Sequence, residues 1–464
     1  MNKRLFIFFI SIFIILGVII YLIMAPKETL YEAKWNDINT LAITIDGEIS
    51  TNFPTTNAYG GTVTCTTGTG KVEWNGTKWV LTTSGITKGS TKCNVNFIFS
   101  PTWENPGSNT LLAKIKSNNN VVSTSTYPGQ QVSNNNEAIL SSKADDYGTS
   151  YYFRGNVTNN YVEFANMCWR IVRVTGNAGI KLVLYNYNGL SNTNTVRSSS
   201  SPCNVTGSNL SYMRLDNNLY FEFNEEGTDN AYEGLMYGSP NSSSYAATHA
   251  NVNVSTIVTS LNTWYKNVLL KQNNFKEDYL VDTIWCNDKN VITDTTYDPW
   301  DVGYNDNFGF GGNMNYYKTT QRLYNRVNNM VISTPSFVCP NDNNGGKLSK
   351  FTVDDTKYGN GALKGYAKIG MLTADEIAFA GGVYGKDNIN YYLNKNASAE
   401  FWWTISPSNY WGYARVWYVA KNGNLAYDGY VHSNNIAVRP SITLSSKVKW
   451  SEGVGTASSP YRIS

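Results

Sequence analysis

The strongest constraint on the fold is an uncharged apolar run at residues 5–24, LFIFFISIFIILGVIIYLIM. Twenty helical residues at about 1.5 Å each cover the roughly 30 Å hydrocarbon core of a bilayer, so the run predicts a transmembrane helix. Lys3 and Arg4 precede it, and positive charge tends to stay on the cytoplasmic side. We therefore expect a single-pass signal anchor over residues 1–26, with the N-terminus inside the cell and the rest of the chain outside.

A cleaved signal peptide is the alternative for this segment. The apolar region of a signal peptide usually has about 7 to 15 residues and ends at a small-x-small site. The run here is longer, and the residues at its end, Ile23-Met24-Ala25, match that site poorly. The sequence favours an uncleaved anchor and leaves cleavage open.

The composition bounds the partners of the extracellular part. The formal net charge is +3 and 15% of the residues are charged, so there is no strong field to recruit nucleic acid. The chain is instead rich in tyrosine (33 residues) and tryptophan (13 residues), with many Asn, Ser, Thr and Gly residues. Such a surface recognises its partners by stacking and hydrogen bonds. We expect a glycan or protein ligand at the cell surface and no nucleic-acid partner.

The cysteines form an even set, as expected for disulfides in an oxidising compartment. Proximity along the chain suggests three bridges, and the alternative is that several cysteines are buried thiols. The suggested pairs are Cys65 with Cys93, Cys168 with Cys203, and Cys286 with Cys339. None has CxxC or Cys/His spacing, and His249 and His432 are the two histidines of the chain. We therefore expect neither a zinc site nor a cofactor.

Short alternating strands separated by turns predict a small β-sandwich-like module over residues 35–100. The pair Asn75-Gly76 between VEW and WVL is the strongest hairpin signal in it. Residues 101–145 are rich in Pro, Asn and Ser and predict a linker.

Beyond the linker the pattern changes to longer strands and a few helices. An amphipathic helix is predicted to begin at Ser255, and a second helix is predicted around residues 320–331. Thr373 and Glu376 form the capping box of another. The sequence therefore predicts an α+β domain over residues 146–446 and a C-terminal tail over 447–464.

Five ordered motifs within residues 147–446 carry a resemblance to a known family. They are YYFRGNV, WRIVRV, GMLTADEIAFAGGVYG, WWTISPSNYW and AVRPSITL. Together they resemble an uncharacterised surface domain repeated among secreted and anchored proteins of Gram-positive bacteria. That domain is distantly similar to the C-type-lectin-like fold in its formylglycine-generating-enzyme branch, so the resemblance implies a C-type-lectin-like domain here. The reactive Cys pair of the catalytic branch and the EPN and WND calcium motifs of the lectins are not found at matching positions.

The closing hairpin, around the turn at Asn422-Gly423, holds the candidate ligand-binding residues. Its Tyr, Trp, His and Asn side chains suit rigid stacking combined with adaptable hydrogen bonding. The candidates are Tyr410, Trp411, Tyr413, Trp417, Tyr427, Tyr430, His432 and Asn434, with Arg415 and Asn435 in the same segment. Side chains alternate between the two faces of a strand, so some of these must belong to the core.

Carboxylates offer two weaker candidates. Asp298, Asp301 and Asp306 lie in a Gly-rich loop, and their oxygens suit calcium, but the spacing is not that of an EF-hand. A solvated loop is the favoured interpretation, and no metal site is predicted with it. Asp375 and Glu376 occupy the first turn of a predicted helix, where acidic groups stabilise the helix dipole.

These observations predict a membrane-anchored extracellular protein that is not an enzyme and that serves ligand recognition or adhesion. One alternative is an envelope enzyme acting on cell-wall carbohydrate with acids from the 297–313 loop. Another is a structural surface protein without a ligand.

Overall fold

A computed structural model describes residues 38–122, 129–132, 138–188, 201–204, 220–300, 309–327, 330–394 and 401–464. Strands make up 35% and helices 13% of these residues, so the described part of the chain is mostly β and the prediction of an α+β, C-type-lectin-like fold is wrong. Within the described ranges no helix is long and apolar enough to cross a membrane. The predicted anchor at residues 1–26 lies outside those ranges.

The sequence predicted more helix than the structure contains because short apolar repeats fit a helical pattern. The helix predicted from Ser255 spans only Thr256–Trp264 and continues as a π-helical segment, Tyr265–Leu269. The helix predicted around residues 320–331 is the six-residue Lys318–Leu323, after which the backbone forms a strand pair. Isolated helices this short are marginal in water, so tertiary packing decides where they end.

The chain divides into two units, Met1–Ala113 and Lys114–Ser464. The described part of the first unit contains six strands, which are β1 Ile38–Ile45, β2 Glu48–Ser50, β3 Tyr59–Cys65, β4 Thr69–Trp74, β5 Trp79–Ser84 and β6 Thr91–Phe99. Helix α1, Leu111–Asn118, crosses the boundary between the units.

The first unit combines a four-stranded sheet, in the order β2-β1-β6-β3, with the separate hairpin β4-β5. In β6, buried Cys93, Val95 and Phe97 alternate with more exposed residues, as expected for a strand with one face in the core. Trp79 and Leu81 of the hairpin join the same apolar cluster. The core therefore lies between the sheet and the hairpin.

The strands of the second unit are short except in two sheets. They are β7 Ala138–Asp145, β8 Gly148–Gly155, β9 Tyr161–Phe164, β10 Met167–Val174, β11 Ile180–Asn186, β12 Met236–Tyr237, β13 Asn253–Val254, β14 Trp285–Cys286, β15 Asn315–Tyr316, β16 Asn325–Val327, β17 Met330–Ile332, β18 Lys350–Phe351, β19 Trp402–Tyr410, β20 Ala414–Val419, β21 Leu425–Tyr430, β22 Ser441–Leu444, β23 Trp450–Glu452 and β24 Tyr461–Ile463. Its helices are α2 Tyr245–Thr248, α3 Thr256–Trp264, α4 Lys318–Leu323 and α5 Ala374–Ala380.

The larger sheet of this unit runs β22-β11-β10-β9-β24-β23, and the β7-β8 hairpin joins it at β10. Every residue of β10 and β11 is buried, the pattern of strands covered on both faces. The second sheet, β15-β19-β20-β21, is antiparallel and carries the closing hairpin.

The six cysteines form three disulfides in the order that chain proximity suggests. Cys65–Cys93 joins neighbouring strands of the first unit, and the other two bridges lie within the second. Three disulfides fit an extracellular protein, because thiols are kept reduced in the cytosol.

The capping box predicted for α5 is confirmed. The hydroxyl of Thr373 accepts from the Glu376 amide at 3.0 Å, and the Glu376 carboxylate accepts from the Thr373 amide at 3.1 Å. The helix ends at Gly381, whose φ of +124° is a backbone conformation that residues with side chains rarely adopt.

Candidate functional site

Two exposed aromatic residues stand on the turn between β19 and β20. The turn is Trp411-Gly412-Tyr413, and Gly412 supplies the positive φ of +70° that it requires. The Trp411 amide donates to the Tyr413 carbonyl at 3.3 Å. Because the chain reverses within three residues, both side chains remain in solvent, with Trp411 43% and Tyr413 44% exposed.

Arg415 organises the rings next to this turn. It lies opposite Tyr430 in the β20-β21 register. Its guanidinium carbon is 5.1 Å from the centroid of the Trp411 ring and 4.8 Å from that of Tyr430. Its Nη2 donates to the Trp411 carbonyl at 3.2 Å and to the Tyr430 hydroxyl at 3.4 Å. The cation thus contacts one ring on the β19-β20 turn and one ring on β21.

Tyr413 and His432 complete a continuous set of rings. The centroid of Tyr413 lies 5.8 Å from that of Tyr430, with the planes perpendicular, and 5.1 Å from that of His432. Tyr430 and His432 are 5.8 Å apart. We call Trp411, Tyr413, Arg415, Tyr430 and His432 the hairpin surface.

The positive charge of Arg415 is not neutralised by a carboxylate of the described residues. Its Nε is buried there without a hydrogen-bond partner. Behind it, Glu233 accepts from the Arg415 backbone amide at 3.4 Å. Burial raises the pKa of Glu233 well above its ordinary value, and the hydrogen bond and charge of Arg415 only partly oppose this shift. Burial therefore favours the neutral form of Glu233, and the guanidinium of Arg415 is the cationic group of the hairpin surface.

A groove of about 210 Å³ borders the hairpin surface and shares Tyr430 with it. We call it the Tyr430 groove; its lining is Phe401, Tyr418, Asp428, Gly429, Tyr430, Ser433, Asn435 and Ile436. The rings of Phe401 and Tyr418 pack edge to face with centroids 5.6 Å apart. The Tyr418 hydroxyl donates to Asp428 Oδ1 at 2.9 Å.

The structure does not bring all eight predicted ligand-binding residues into one site. Trp411, Tyr413, Tyr430 and His432 meet in the hairpin surface, and Asn434 is exposed on the segment after β21. The other three lie elsewhere.

Two of those three belong to the core. Trp417 is fully buried, and its indole donates to Thr320 Oγ1 at 3.2 Å. Tyr410 is buried as well, and its hydroxyl donates to the Thr228 carbonyl at 2.7 Å. Both side chains are engaged inside the protein and out of reach of an external ligand.

Tyr427 belongs to a second aromatic cluster. Its ring stacks on Trp300 with centroids 3.6 Å apart and planes within 8°. Tyr324 and Tyr384 also contact Trp300, and Tyr384 approaches Tyr427 to 5.6 Å. The ring of Tyr427 therefore packs against other aromatic side chains of the protein.

Sequence reasoning missed six members of the groove, which are Phe401, Tyr418, Asp428, Gly429, Ser433 and Ile436. Asp428 and Tyr430 are two residues apart on β21, so strand periodicity could have placed them on one face. Phe401 precedes β19 and contacts Tyr418 across the sheet. That contact depends on the pairing of the strands and has no local signal.

The acidic loop lies largely outside the described residues, since Asp301 and Asp306 are not among them. Asp298 accepts from the Tyr316 hydroxyl at 2.7 Å. In the part of the chain that the structure describes, no three His, Cys, Asp or Glu side chains form a group that could hold a metal ion.

Asp375 and Glu376 are buried and ion-paired. Glu376 contacts Lys181 Nζ at 2.7 Å and Arg173 Nε at 2.9 Å. Asp375 pairs with Arg322 at 3.0 Å. Burial alone would raise the pKa of Glu376, but the two cations lower it below its ordinary value. The role of this pair is to neutralise buried cations and to cap α5.

Comparison with protein-family models, curated proteins and solved structures gives no match to the chain. The resemblance of the five sequence motifs to a bacterial surface domain therefore stays a prediction.

Proposed function

We propose that the chain is an anchored extracellular protein that recognises a ligand through the hairpin surface. The observation that carries the proposal is the gathering of Trp411, Tyr413, Tyr430 and His432 around the guanidinium of Arg415. Binding, rather than turnover, is the activity that we assign to it.

The hairpin surface has the properties of a binding hot spot. Trp, Tyr and Arg are the residues most enriched where truncation weakens binding strongly. Aromatic side chains lose little conformational entropy on binding, and Arg415 fixes two of these rings beforehand through cation–π contacts and hydrogen bonds. A ligand would therefore meet an ordered surface.

The location supports recognition outside the cell. Three disulfides fit an extracellular protein, and the apolar run at residues 5–24 predicts the anchor. The sequence motifs also resemble a surface domain of Gram-positive bacteria. These observations favour a single-pass protein with its N-terminus inside and its C-terminus outside the cell.

The other two hypotheses have less support. The envelope-enzyme hypothesis draws its acids from the 297–313 loop, and the one acid of that loop among the described residues, Asp298, accepts from the Tyr316 hydroxyl. A structural protein without a ligand does not require exposed aromatic side chains, whereas Trp411 and Tyr413 are 43% and 44% exposed.

The test is binding of the purified full-length chain, held in a mild detergent, to a glycan array and to intact bacterial cells. Trp411→Ala should weaken saturable binding about 30-fold, the effect of losing an anchor worth about 2 kcal/mol. Tyr358→Ala, which removes another exposed aromatic ring, is the matched control. Equal binding by wild type and Trp411→Ala, or no binding by wild type to any probe, would refute the proposal.

A further inference from the structure

We infer that the Tyr430 groove binds one neutral sugar residue of a glycan. The inference rests on the proposed function, because the groove extends the recognition site proposed for the hairpin surface and the inference assigns a ligand class to it. It adds Phe401, Tyr418, Asp428, Ser433 and Asn435 to that site.

The walls of the groove suit the apolar face of a sugar ring. Phe401, Tyr418 and Tyr430 supply three aromatic side chains, and Ile436 adds an aliphatic contact. The edge-to-face packing of Phe401 and Tyr418 fixes the orientation of these two rings. Arg415 contacts the Tyr430 ring and donates to its hydroxyl, so the ring is positioned before a ligand arrives.

The polar groups of the groove suit hydroxyl groups. One oxygen of Asp428 accepts from Tyr418, which leaves the other to accept from a ligand. The Asn435 amide and the Ser433 hydroxyl line the groove without a side-chain hydrogen bond to any described residue. A carboxylate only accepts, an amide both donates and accepts, and a hydroxyl does both as well. Neighbouring hydroxyls of a sugar can satisfy all three.

The charge of the groove selects against acidic sugars. Asp428 is the one carboxylate of its lining, and the neighbouring cations Arg415 and Lys421 lie against the Tyr430 and Phe401 rings without being part of the lining. A carboxylate or sulfate on the ligand would meet this like charge. A quaternary ammonium group suits aromatic rings with a carboxylate, but it forms no hydrogen bonds and would leave Asn435 and Ser433 without partners. The lining therefore favours a neutral polyol.

The size of the groove limits the ligand to one ring. Its volume of about 210 Å³ is below the roughly 300 Å³ at which pockets for drug-sized molecules begin. The groove is open to solvent and continues into the hairpin surface at Tyr430. Further residues of the glycan can therefore extend over Trp411 and Tyr413.

The experiment compares neutral, acidic and amino-sugar glycans on one array, with choline as a separate probe, using the full-length chain in detergent. Wild type should bind neutral glycans. Asp428→Asn should weaken this binding about 10-fold, the effect of a lost hydrogen bond to a charged group, and Asn435→Ala should weaken it about 5-fold, the effect of a lost neutral hydrogen bond. Asp278→Asn, at an exposed acid elsewhere, should bind as wild type does. Unchanged melting temperatures establish that the variants are folded.

The outcomes separate this inference from the proposed function. Binding to cells that depends on Trp411 but not on Asp428, with no neutral glycan bound, overturns the groove assignment and leaves the proposed function standing. Selective binding of acidic glycans or choline also overturns it. The absence of binding to every probe overturns both.

Discussion

Glu376 is a buried carboxylate of the second unit that pairs with two buried cations. It lies in the first turn of α5 and contacts Lys181 Nζ at 2.7 and 2.8 Å through its two oxygens. Arg173 Nε donates to the same carboxylate at 2.9 Å. Because the lysine and the arginine are also buried, each depends on protein partners for the interactions that water would otherwise provide.

Glu376→Gln removes the charge and keeps the shape. Glutamine can also complete the capping box, so the helix terminus is retained. Lys181 then loses its carboxylate, whereas Arg173 keeps Asp145 at 2.6 Å. Removing one partner of a buried ion pair costs about 3 to 5 kcal/mol, and we expect a loss of that size in the free energy of unfolding.

The assay is guanidinium denaturation of the full-length chain in detergent, followed by tryptophan fluorescence. Glu452→Gln is the matched control, because Glu452 pairs with Arg462 at 2.5 Å but is 62% exposed. Glu452→Gln should lower the free energy of unfolding by less than about 1 kcal/mol. A loss for Glu376→Gln no larger than that of the control would refute the reasoning.

The pH dependence provides a second check on Glu376. Its pKa is lowered from the ordinary value of 4.5 in the folded state, with the favourable pairing outweighing burial. The contribution of Glu376 to the stability of the folded state is therefore complete above about pH 4.5, and it is lost as the pH falls through the folded-state pKa. The difference between wild type and Glu376→Gln should shrink between pH 6 and pH 3. A constant difference would contradict the assignment.

Three further predictions concern stability. Replacing both Cys286 and Cys339 by Ala opens a loop of 53 residues and should cost about 4 kcal/mol of unfolding free energy, measured by denaturation; no loss would contradict this. Trp417→Ala should cost about 3 to 5 kcal/mol because the side chain is fully buried, whereas Trp411→Ala should change stability by less than about 1 kcal/mol; equal losses would contradict the separation of core from surface. Burial lowers the pKa of His249 to about 3, so stability should fall as the pH drops from 6.5 to 3, and His249→Gln should flatten that part of a pH titration of the melting temperature. A slope unchanged in the variant would contradict the burial of a neutral imidazole.

The sequence predicted the features that depend on local chemistry. The Thr373 and Glu376 capping box is visible in the spacing of two residues, and the structure contains it. The hairpin turn at Asn422-Gly423 is likewise present, with Gly423 at φ +80° between β20 and β21. Both rest on interactions within four residues of chain.

The fold class depended on contacts that the sequence does not encode locally. The apolar residues after Thr320 satisfy a helical pattern, yet beyond Leu323 the chain forms the β16-β17 strand pair. Short apolar runs fit helix and strand alike, and packing selects between them. The prediction of an α+β fold failed for this reason.

The candidate site was predictable only in part. Trp411 and Trp417 look equivalent in the sequence, but the first stands on a turn and the second inside a sheet whose neighbouring residues are buried on both faces. Alternation along a strand cannot identify the exposed face when both are covered. The position of Arg415 opposite Tyr430 further required the β20-β21 register, which contains an irregularity between Val416 and Tyr418.

The central claim is that the hairpin surface is the recognition site. Its most direct test is an equilibrium titration of the full-length chain in detergent with the array glycan that gives the strongest signal. The titration compares wild type, Trp411→Ala and the control Tyr358→Ala, all with equal melting temperatures. We predict a dissociation constant raised about 30-fold in Trp411→Ala and unchanged in the control. Equal dissociation constants for all three would contradict the claim.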